Sequence, residues 1–518
     1  VGHIPEVLNC RCEKPAETDA SGLGREVYSR LLSDYFSDES VEVPVVEGYL
    51  PNTFMIDYPL LSGSRVCIVI YAVNNAEVAR QTVASIVDKT GFKDYCIRVG
   101  IGESDSSVFA AIDDDRVQVD IVSERTSRAE YLNAVGMKPD AGYLLFIEPG
   151  IMAIQDVWLS RMLAHGQRTG IAALGVRLIS REQRIMHGGI VTGIGPYGAG
   201  CIAFEGSMMS DTGYMNRAQV AQSMGAVSSA CMLVRAECFA EVNGFDVDLD
   251  VPFYQDVDLC QKLQSGERSI VWTPYVTMLY TGADLASYRG DKSAEYVIAK
   301  AEMLGKRWLK NFANDPAYNR NLSLKQAGYS VDRSYLPAWN PDIRDIPRVT
   351  GFGAGSRGSW QYRVVQPMKA MHRTGVAYCN QAPFVEKHRV LLPTPVEIER
   401  ARPDTLLMHN MLHDDCINRL EQYKKVNKSF VVFGQDDLMF ALPPKNPFSK
   451  TMYKDVKKRI RRCLTLADRL LVTTDALADG LRGMADDIWV VPNYLDDTIW
   501  MNLGSKRQVS SRPRVGWA

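Results

Sequence analysis

The sequence predicts an α/β fold with mostly parallel sheets, laid out as two successive units. Two observations carry this. Short, continuous apolar runs rich in β-branched residues alternate with segments of helical spacing, and the pattern restarts after a stretch rich in Asn, Asp, Pro and Gly between residues 311 and 347. A strand buried on both faces reads as an unbroken apolar run, and strands alternating with helices imply right-handed βαβ units. A chain of 518 residues also exceeds what one ordinary core organises.

The elements follow in order. Leu23, Val27, Leu31, Leu32, Tyr35 and Phe36 recur at helical spacing and predict an amphipathic linking helix over 23–36. The run 65–73, containing Val66-Cys67-Ile68-Val69-Ile70, predicts the first buried strand. A helix over 77–89 follows through Val78, Val83, Ile86 and Val87, then strands at 95–101, 117–122 and 142–147. In the second unit, strands are expected at 348–352, 405–409, 430–434, 469–473 and 488–492, with a Gly-rich loop, Gly351 to Gly358, entering a helix at 361–374. Ligands of such sheets sit beyond the carboxyl ends of the strands, which directs attention to 71–75, 102–105 and 148–151.

Composition excludes several classes. Hydrophobic residues make up 46% and charged residues 23%, as in globular proteins. With 59 basic and 61 acidic residues the net charge is -2, which gives no electrostatic footprint for nucleic acid. Eleven cysteines are too few for a disulfide framework, and Cys10-Arg11-Cys12 lacks a second pair at zinc spacing. A reduced, cytoplasmic setting is expected. No apolar run reaches the roughly 18–20 residues that span a bilayer. The basic run Lys454-Asp455-Val456-Lys457-Lys458-Arg459-Ile460-Arg461-Arg462 reads as a solvated helix face or as a contact for an anionic acceptor or the inner face of a membrane. The sequence begins at Val1 without an initiator Met and ends at Trp517-Ala518, and it reads as a piece of a longer protein.

The stretch with most chemical content is Tyr254-Gln255-Asp256-Val257-Asp258, after the turn-like Asn243-Gly244-Phe245-Asp246. A carboxylate fixed beside a cleft can take a proton from an attacking hydroxyl. Around it stand Ala226-Val227-Ser228-Ser229-Ala230-Cys231-Met232-Leu233-Val234-Arg235, Ala129-Glu130-Tyr131-Leu132-Asn133-Ala134, Gly142-Tyr143-Leu144-Leu145-Phe146-Ile147-Glu148-Pro149-Gly150 and Met186-His187-Gly188-Gly189. In this order the words resemble a family 2 glycosyltransferase of GT-A fold, over residues 65–290, in the subgroup common in bacterial surface-polysaccharide synthesis. Ser359-Trp360-Gln361-Tyr362-Arg363, Val432-Phe433-Gly434-Gln435-Asp436-Asp437-Leu438 and Trp489-Val490-Val491-Pro492-Asn493-Tyr494 resemble the N-terminal, acceptor-holding half of a family 4 glycosyltransferase of GT-B fold. The resemblance implies this organisation: 1–20 the tail of a preceding module, 21–60 a linker helix and strand, 61–310 a GT-A domain, 311–345 a linker, and 346–518 a truncated GT-B half.

It also implies roles. Asp256 falls where the family places its general base, and the implied reaction is inverting transfer from a nucleotide sugar to a glycan acceptor. Tyr71, at the end of the first strand, Asn133 and His187 fall at donor-contacting positions. Ile101 stands where an Asp would contact the base, with Glu103 and Asp105 close by. The implied divalent metal, Mn or Mg, would rest on Glu148 alone, because Glu148-Pro149-Gly150 replaces the family's run of aspartates and Tyr280-Thr281-Gly282-Ala283 replaces its Tyr-His-His-Glu.

Each position has a structural reading beside the functional one. Glu148 reads as a strand-end carboxylate or a ligand, Asn133 as a helix-to-loop clasp or a donor contact, and His187 as a turn-stabilising histidine. Asp258 reads as structural, and Asp256 as a base or as a charge at a helix N-terminus. The degenerate metal motif keeps a second class open, a catalytically inactive module that binds glycan or scaffolds its neighbours. A dinucleotide-dependent oxidoreductase fits poorly, since neither Gly100-Ile101-Gly102 nor Gly353-Ala354-Gly355 continues to a third fingerprint glycine.

Overall fold

The computed structural model describes residues 30–501 apart from 33, 35–42, 52, 62, 111, 139, 196, 265–267, 283–291, 326, 332–344, 354–357, 382–384, 387–388, 391, 447–448 and 450–451. The chain divides into two compact units, 1–332 and 333–518. Most of the expected helix at 23–36 and Cys10-Arg11-Cys12 lie outside the described residues.

The first unit opens with a small hairpin, β1 (Val45–Glu47) against β2 (Phe54–Ile56). The strands β3 (Val66–Tyr71), β4 (Tyr95–Ile101), β5 (Val117–Ile121) and β6 (Tyr143–Ile147) follow, linked by α1 (Ala76–Lys89) and α2 (Arg128–Gly136). Then come β7 (Ile151–Met152), α3 (Trp158–Gly166), β8 (Ile171–Ile179), β9 (Ile185–His187) and the pair β10 (Ile190–Thr192) and β11 (Gly200–Ile202). The unit closes with β12 (Gln222–Met224), β13 (Cys231–Arg235), α4 (Ala236–Glu241), α5 (Pro252–Leu263), β14 (Ser269–Tyr280) and α6 (Ala294–Ala313).

Ten strands form one sheet, whose spine runs β12-β14-β8-β13-β6-β3-β4-β5. Six of these eight strands point one way; β12 and β13 oppose them, each pairing antiparallel with its neighbours. The antiparallel β13 was not legible as such, because a buried apolar run reads the same in either direction. Strand β14 carries Pro274, which has no N–H for a ladder, and the register slips between Thr273 and Thr277 to accommodate it.

Side-chain alternation sorts the core. Val66, Ile68 and Ile70 of β3 and Leu145 and Ile147 of β6 pack with Ala79, Val83 and Ile86 of α1 and Trp158 and Met162 of α3. On the other face Phe146 meets Phe239 and Phe245, with ring centres 5.3 and 5.2 Å away. Loops at the carboxyl ends of β3, β4 and β6 are thereby left to converge on one edge.

The second unit is a six-stranded sheet, parallel at every pairing, in the order β16-β15-β19-β20-β21-β22. Its strands are β15 (Arg348–Gly353), β16 (Tyr378–Gln381), β19 (Thr405–His409), β20 (Phe430–Gln435), β21 (Arg469–Val472) and β22 (Ile488–Val490); a two-stranded ribbon, β17 (Val385–Glu386) with β18 (Arg389–Val390), stands apart. The crossover helices are α7 (Gln366–Arg373), α8 (Pro395–Ala401), α9 (Asp414–Val426), α10 (Val456–Leu466) and α11 (Asp475–Leu481). This is a Rossmann-like α/β arrangement, as the alternating pattern predicts.

Candidate active site

Helix α5 starts at Pro252, whose missing N–H and fixed φ suit a first helical position. Residues Phe253 to Gln261 are all buried, so the helix runs through the interior and carries Asp256 with it, fully enclosed. The carboxylate rests on the turn before β13. Ser228 Oγ and the Ser229 N–H each donate to Oδ2 at 3.0 Å, and Ser229 Oγ contacts Oδ1. Burial pushes the carboxyl up to about 6, while Arg128 and the serine hydrogen bonds pull the other way.

His187, at the end of β9, holds the same turn from behind. The Ser228 N–H donates to its Nε2 at 3.1 Å, so Nδ1 carries the proton and faces the Val176 carbonyl at 3.1 Å. Burial lowers this imidazole to about 4, and it is neutral. Both ring nitrogens are used by backbone groups, the turn-stabilising arrangement.

Arg128 opens α2 immediately after the N-cap Ser127. Its guanidinium pairs through Nε with Glu148, the residue after β6, and donates from Nη2 to Ser229 Oγ at 2.6 Å. It also lies 5.6 Å from the Phe245 ring centre. Glu148, Arg128, Ser229 and Asp256 therefore form one connected chain of contacts, with a cation between two carboxylates.

The other predicted site residues are placed as follows. Tyr71 ends β3 and donates from its hydroxyl to the Thr126 carbonyl at 2.8 Å, bracing the loop that leads into Arg128. Asn133 is a clasp: its Nδ2 donates to the Phe245 carbonyl at 2.9 Å and its Oδ1 accepts from the Phe245 N–H at 2.8 Å. Glu103 is exposed, at the start of a 3-10 turn after β4. Asp258 is fully buried and clamped by Arg307 Nη1 at 2.7 Å, Trp308 Nε1 at 2.8 Å and Lys262 at 3.2 Å. Tyr71, Glu148, Arg128, Ser229 and Asp256 thus fall along one strand-end edge, while His187 and Asn133 support it from inside.

A divalent ion does not fit this donor set. Glu148 is neutralised by Arg128, and Pro149 brings no side-chain oxygen. Gly150 has φ +93°, and a Cβ there would meet the Gly282 backbone at 3.1 Å, so an aspartate there would be strained and would have to displace that backbone by a few tenths of an ångström. Gly150 is instead tied down, its N–H donating to Thr82 Oγ1 at 2.9 Å and its carbonyl accepting from the Thr281 N–H at 2.8 Å and Thr281 Oγ1 at 3.0 Å. Two like unit charges 4 Å apart repel by about 4 kcal/mol at an effective dielectric of 20, and a divalent ion beside the guanidinium would double that. No group of three or more His, Cys, Asp or Glu is placed to hold a metal among the described residues.

Arg128 was not singled out by sequence, and Ser228 and Ser229 were read only as part of a word. Nothing local marks them, because their roles come from contacts 20 to 101 positions away in the chain.

In the second unit, the central part of the Gly351–Gly358 loop lies outside the described residues. Gly353 itself has a packing reason: a Cβ would sit 2.1 Å from the Trp360 ring. His409, Asn410 and Asp436 gather at the carboxyl ends of β19 and β20, where Asn410 Nδ2 donates to Asp436 at 2.5 Å. Burial alone would raise Asp436, but the hydrogen bonds from His409 and Asn410 outweigh it and hold the carboxyl at about 2. The basic helix α10 is partly neutralised, with Arg459 bound to Asp455 and Asp414 and Arg462 to Glu421.

No protein-family model matches the chain. It is 27% identical over 354 residues to the uncharacterized protein y4gI of Sinorhizobium fredii, covering 65% of this chain and 38% of that protein. It is 25% identical over 387 residues to the O-antigen biosynthesis protein RfbC of Myxococcus xanthus, covering 71% of this chain and 30% of that one. The chain thus spans well under half the length of either relative. Among solved structures, the mannosyltransferase PcManGT from Pyrobaculum calidifontis in complex with GDP-Man and Mn2+ aligns over 55% of this chain and 82% of its own, at 10% identity and TM-score 0.31. GalNAc-T7 with UDP, GalNAc and Mn2+ aligns over 52% of each chain, at 12% identity and TM-score 0.39. Likeness at this level carries no residue-by-residue correspondence. No helix among the described residues is long and apolar enough to cross a membrane.

Proposed function

We propose that this chain is part of a glycosyltransferase of surface-polysaccharide synthesis, and that its first unit, of GT-A type, transfers a sugar from a nucleotide donor to a glycan hydroxyl. The second unit, the N-terminal half of a GT-B type enzyme, holds acceptor. The relationship to an O-antigen biosynthesis protein supports the setting. The single observation that carries the chemistry is the carboxylate of Asp256, raised to about 6 and held by Ser228 and Ser229 beside the strand-end edge. A base whose pKa lies just below the working pH is ionised yet still takes a proton as the bond forms. Asp256 accepts the proton of the acceptor hydroxyl, whose oxygen attacks the anomeric carbon from the face opposite the leaving nucleoside diphosphate. The transition state has oxocarbenium character, and the product is inverted.

One observation favours a second reading. Asp256 is fully enclosed and both of its oxygens face serine donors, so an acceptor reaches it only if the Ser228-Ser229 turn opens. A module whose turn never opens would bind glycan or scaffold its neighbours without turnover. Titration of the chain with UDP-, GDP- and dTDP-sugars, with and without manganese, separates the two. Donor binding with release of nucleoside diphosphate is expected, and Asp256→Asn should abolish release while changing donor affinity by less than about threefold. Binding without release in the presence of acceptor glycan would favour the scaffold, and no binding of any donor would remove the donor-site reading altogether.

A further inference from the structure

We infer that Arg128 is the built-in countercharge of the donor site: a guanidinium, not a divalent ion, faces the diphosphate of the nucleotide in this unit. The inference rests on the donor-binding reading above. Its first support is position. The guanidinium bridges Glu148, directly after β6, and Ser229, which holds Asp256. It follows by two residues the Thr126 carbonyl that Tyr71 grips at the end of β3. It therefore sits at the strand-end crevice where a parallel sheet receives its ligand.

The second support is charge. Two carboxylates with a divalent ion are formally neutral, and so is Glu148 with Arg128. A diphosphate would meet the same formal charge with either assembly. The third is backbone. Gly150 holds a left-handed conformation, φ +93°, with Gly282 against it, so a carboxylate-bearing residue at this position would be strained. Arginine suits the role: it stays charged at every physiological pH, and its planar fork matches phosphate oxygens bidentately.

The test is calorimetric binding of UDP, GDP and dTDP to the whole chain, in EDTA and in manganese. One of the three is expected to bind in EDTA within about twofold of its affinity in manganese. Arg128→Gln should weaken that binding by about tenfold or more, with Arg128→Lys between the two. Glu148→Gln, which leaves the guanidinium in place, should bind as well as or better than the unmodified chain; a metal site would lose affinity with the same change. Should Arg128→Gln fail to fold, the EDTA comparison and the Glu148→Gln result decide alone. Binding that requires manganese and is lost in Glu148→Gln overturns the inference and leaves the proposed function standing. If no diphosphate binds in either condition, both fall.

Discussion

At the scale of single residues, two buried groups titrate in opposite senses around one turn. Asp256 is raised from 3.8 to about 6 by burial, so the native state holds its proton more tightly than the unfolded chain does. Its contribution favours folding at low pH and is lost as pH rises through that window. His187 is lowered from 6.5 to about 4, also by burial. Its contribution is present above 6.5 and is lost as pH falls toward 4. Shifts of this size correspond to roughly 3 kcal/mol each, so between pH 4 and 6.5 the two nearly offset one another. Relative to the unmodified chain, the melting temperature of Asp256→Asn should therefore decline on acidification through this range, and that of His187→Gln should rise. Thermal melts at closely spaced pH values check this; parallel curves for the two variants would contradict it. From sequence Asp258 reads as structural and Asp256 as the candidate base, but the contacts behind that difference were not legible. Asp256 and Asp258 are both carboxylates on one helix, two residues apart. Their partners set them apart in space, serines for one and Arg307, Trp308 and Lys262 for the other.

At the scale of elements, α5 is positioned by that second carboxylate. Asp258 joins α5 to α6, and Arg307 reaches on to Asp246 at 2.7 Å, so one cation ties the helix to the turn before it. Arg307 is 37% exposed and keeps Asp246 when Asp258 is removed, so the loss is chiefly that of the hydrogen bonds from Arg307 and Trp308, and leaving a buried donor unpaired costs about 1–3 kcal/mol. Asp258→Ala is expected to lower stability by that order in denaturant unfolding, and a loss below about 0.5 kcal/mol would show that α5 is seated by apolar packing alone. Most strands were legible because a fully buried parallel strand needs an unbroken apolar run: Tyr95–Ile101 and Thr405–His409 match the expected limits. Strand β13 was not read as antiparallel, and β8 was not read at all. Direction and neighbours are set by pairing across the sheet, which an apolar run does not encode.

At the scale of the whole molecule, each unit has its own sheet and its own buried cluster, built on β3 and β6 in the first and on β19 and β20 in the second. A segment spanning 43–331, expressed alone, should melt cooperatively and bind nucleoside diphosphate with the affinity of the whole chain, as read by calorimetry. A broad, non-cooperative melt would mean that this core is incomplete without residues outside it. The proposed donor capture is thereby tested in one unit alone, in a chain that matches only 38% and 30% of the length of its two relatives.

The sequence by itself determined the α/β class and most of its strands, and it singled out Asp256 as the candidate base. These follow from short-range regularities: apolar runs, helical spacing and turn residues, each readable within about ten positions. The tertiary structure alone decided what surrounds that carboxylate. Glu148 was a candidate metal ligand in sequence, and it became half of an ion pair because α2 brings Arg128 across 20 positions to the end of β6. His187 and Asn133 became supports because backbone groups at Ser228 and Phe245 occupy their polar atoms. A charge is valued by its neighbours in space, and those neighbours exist only once the sheet has closed.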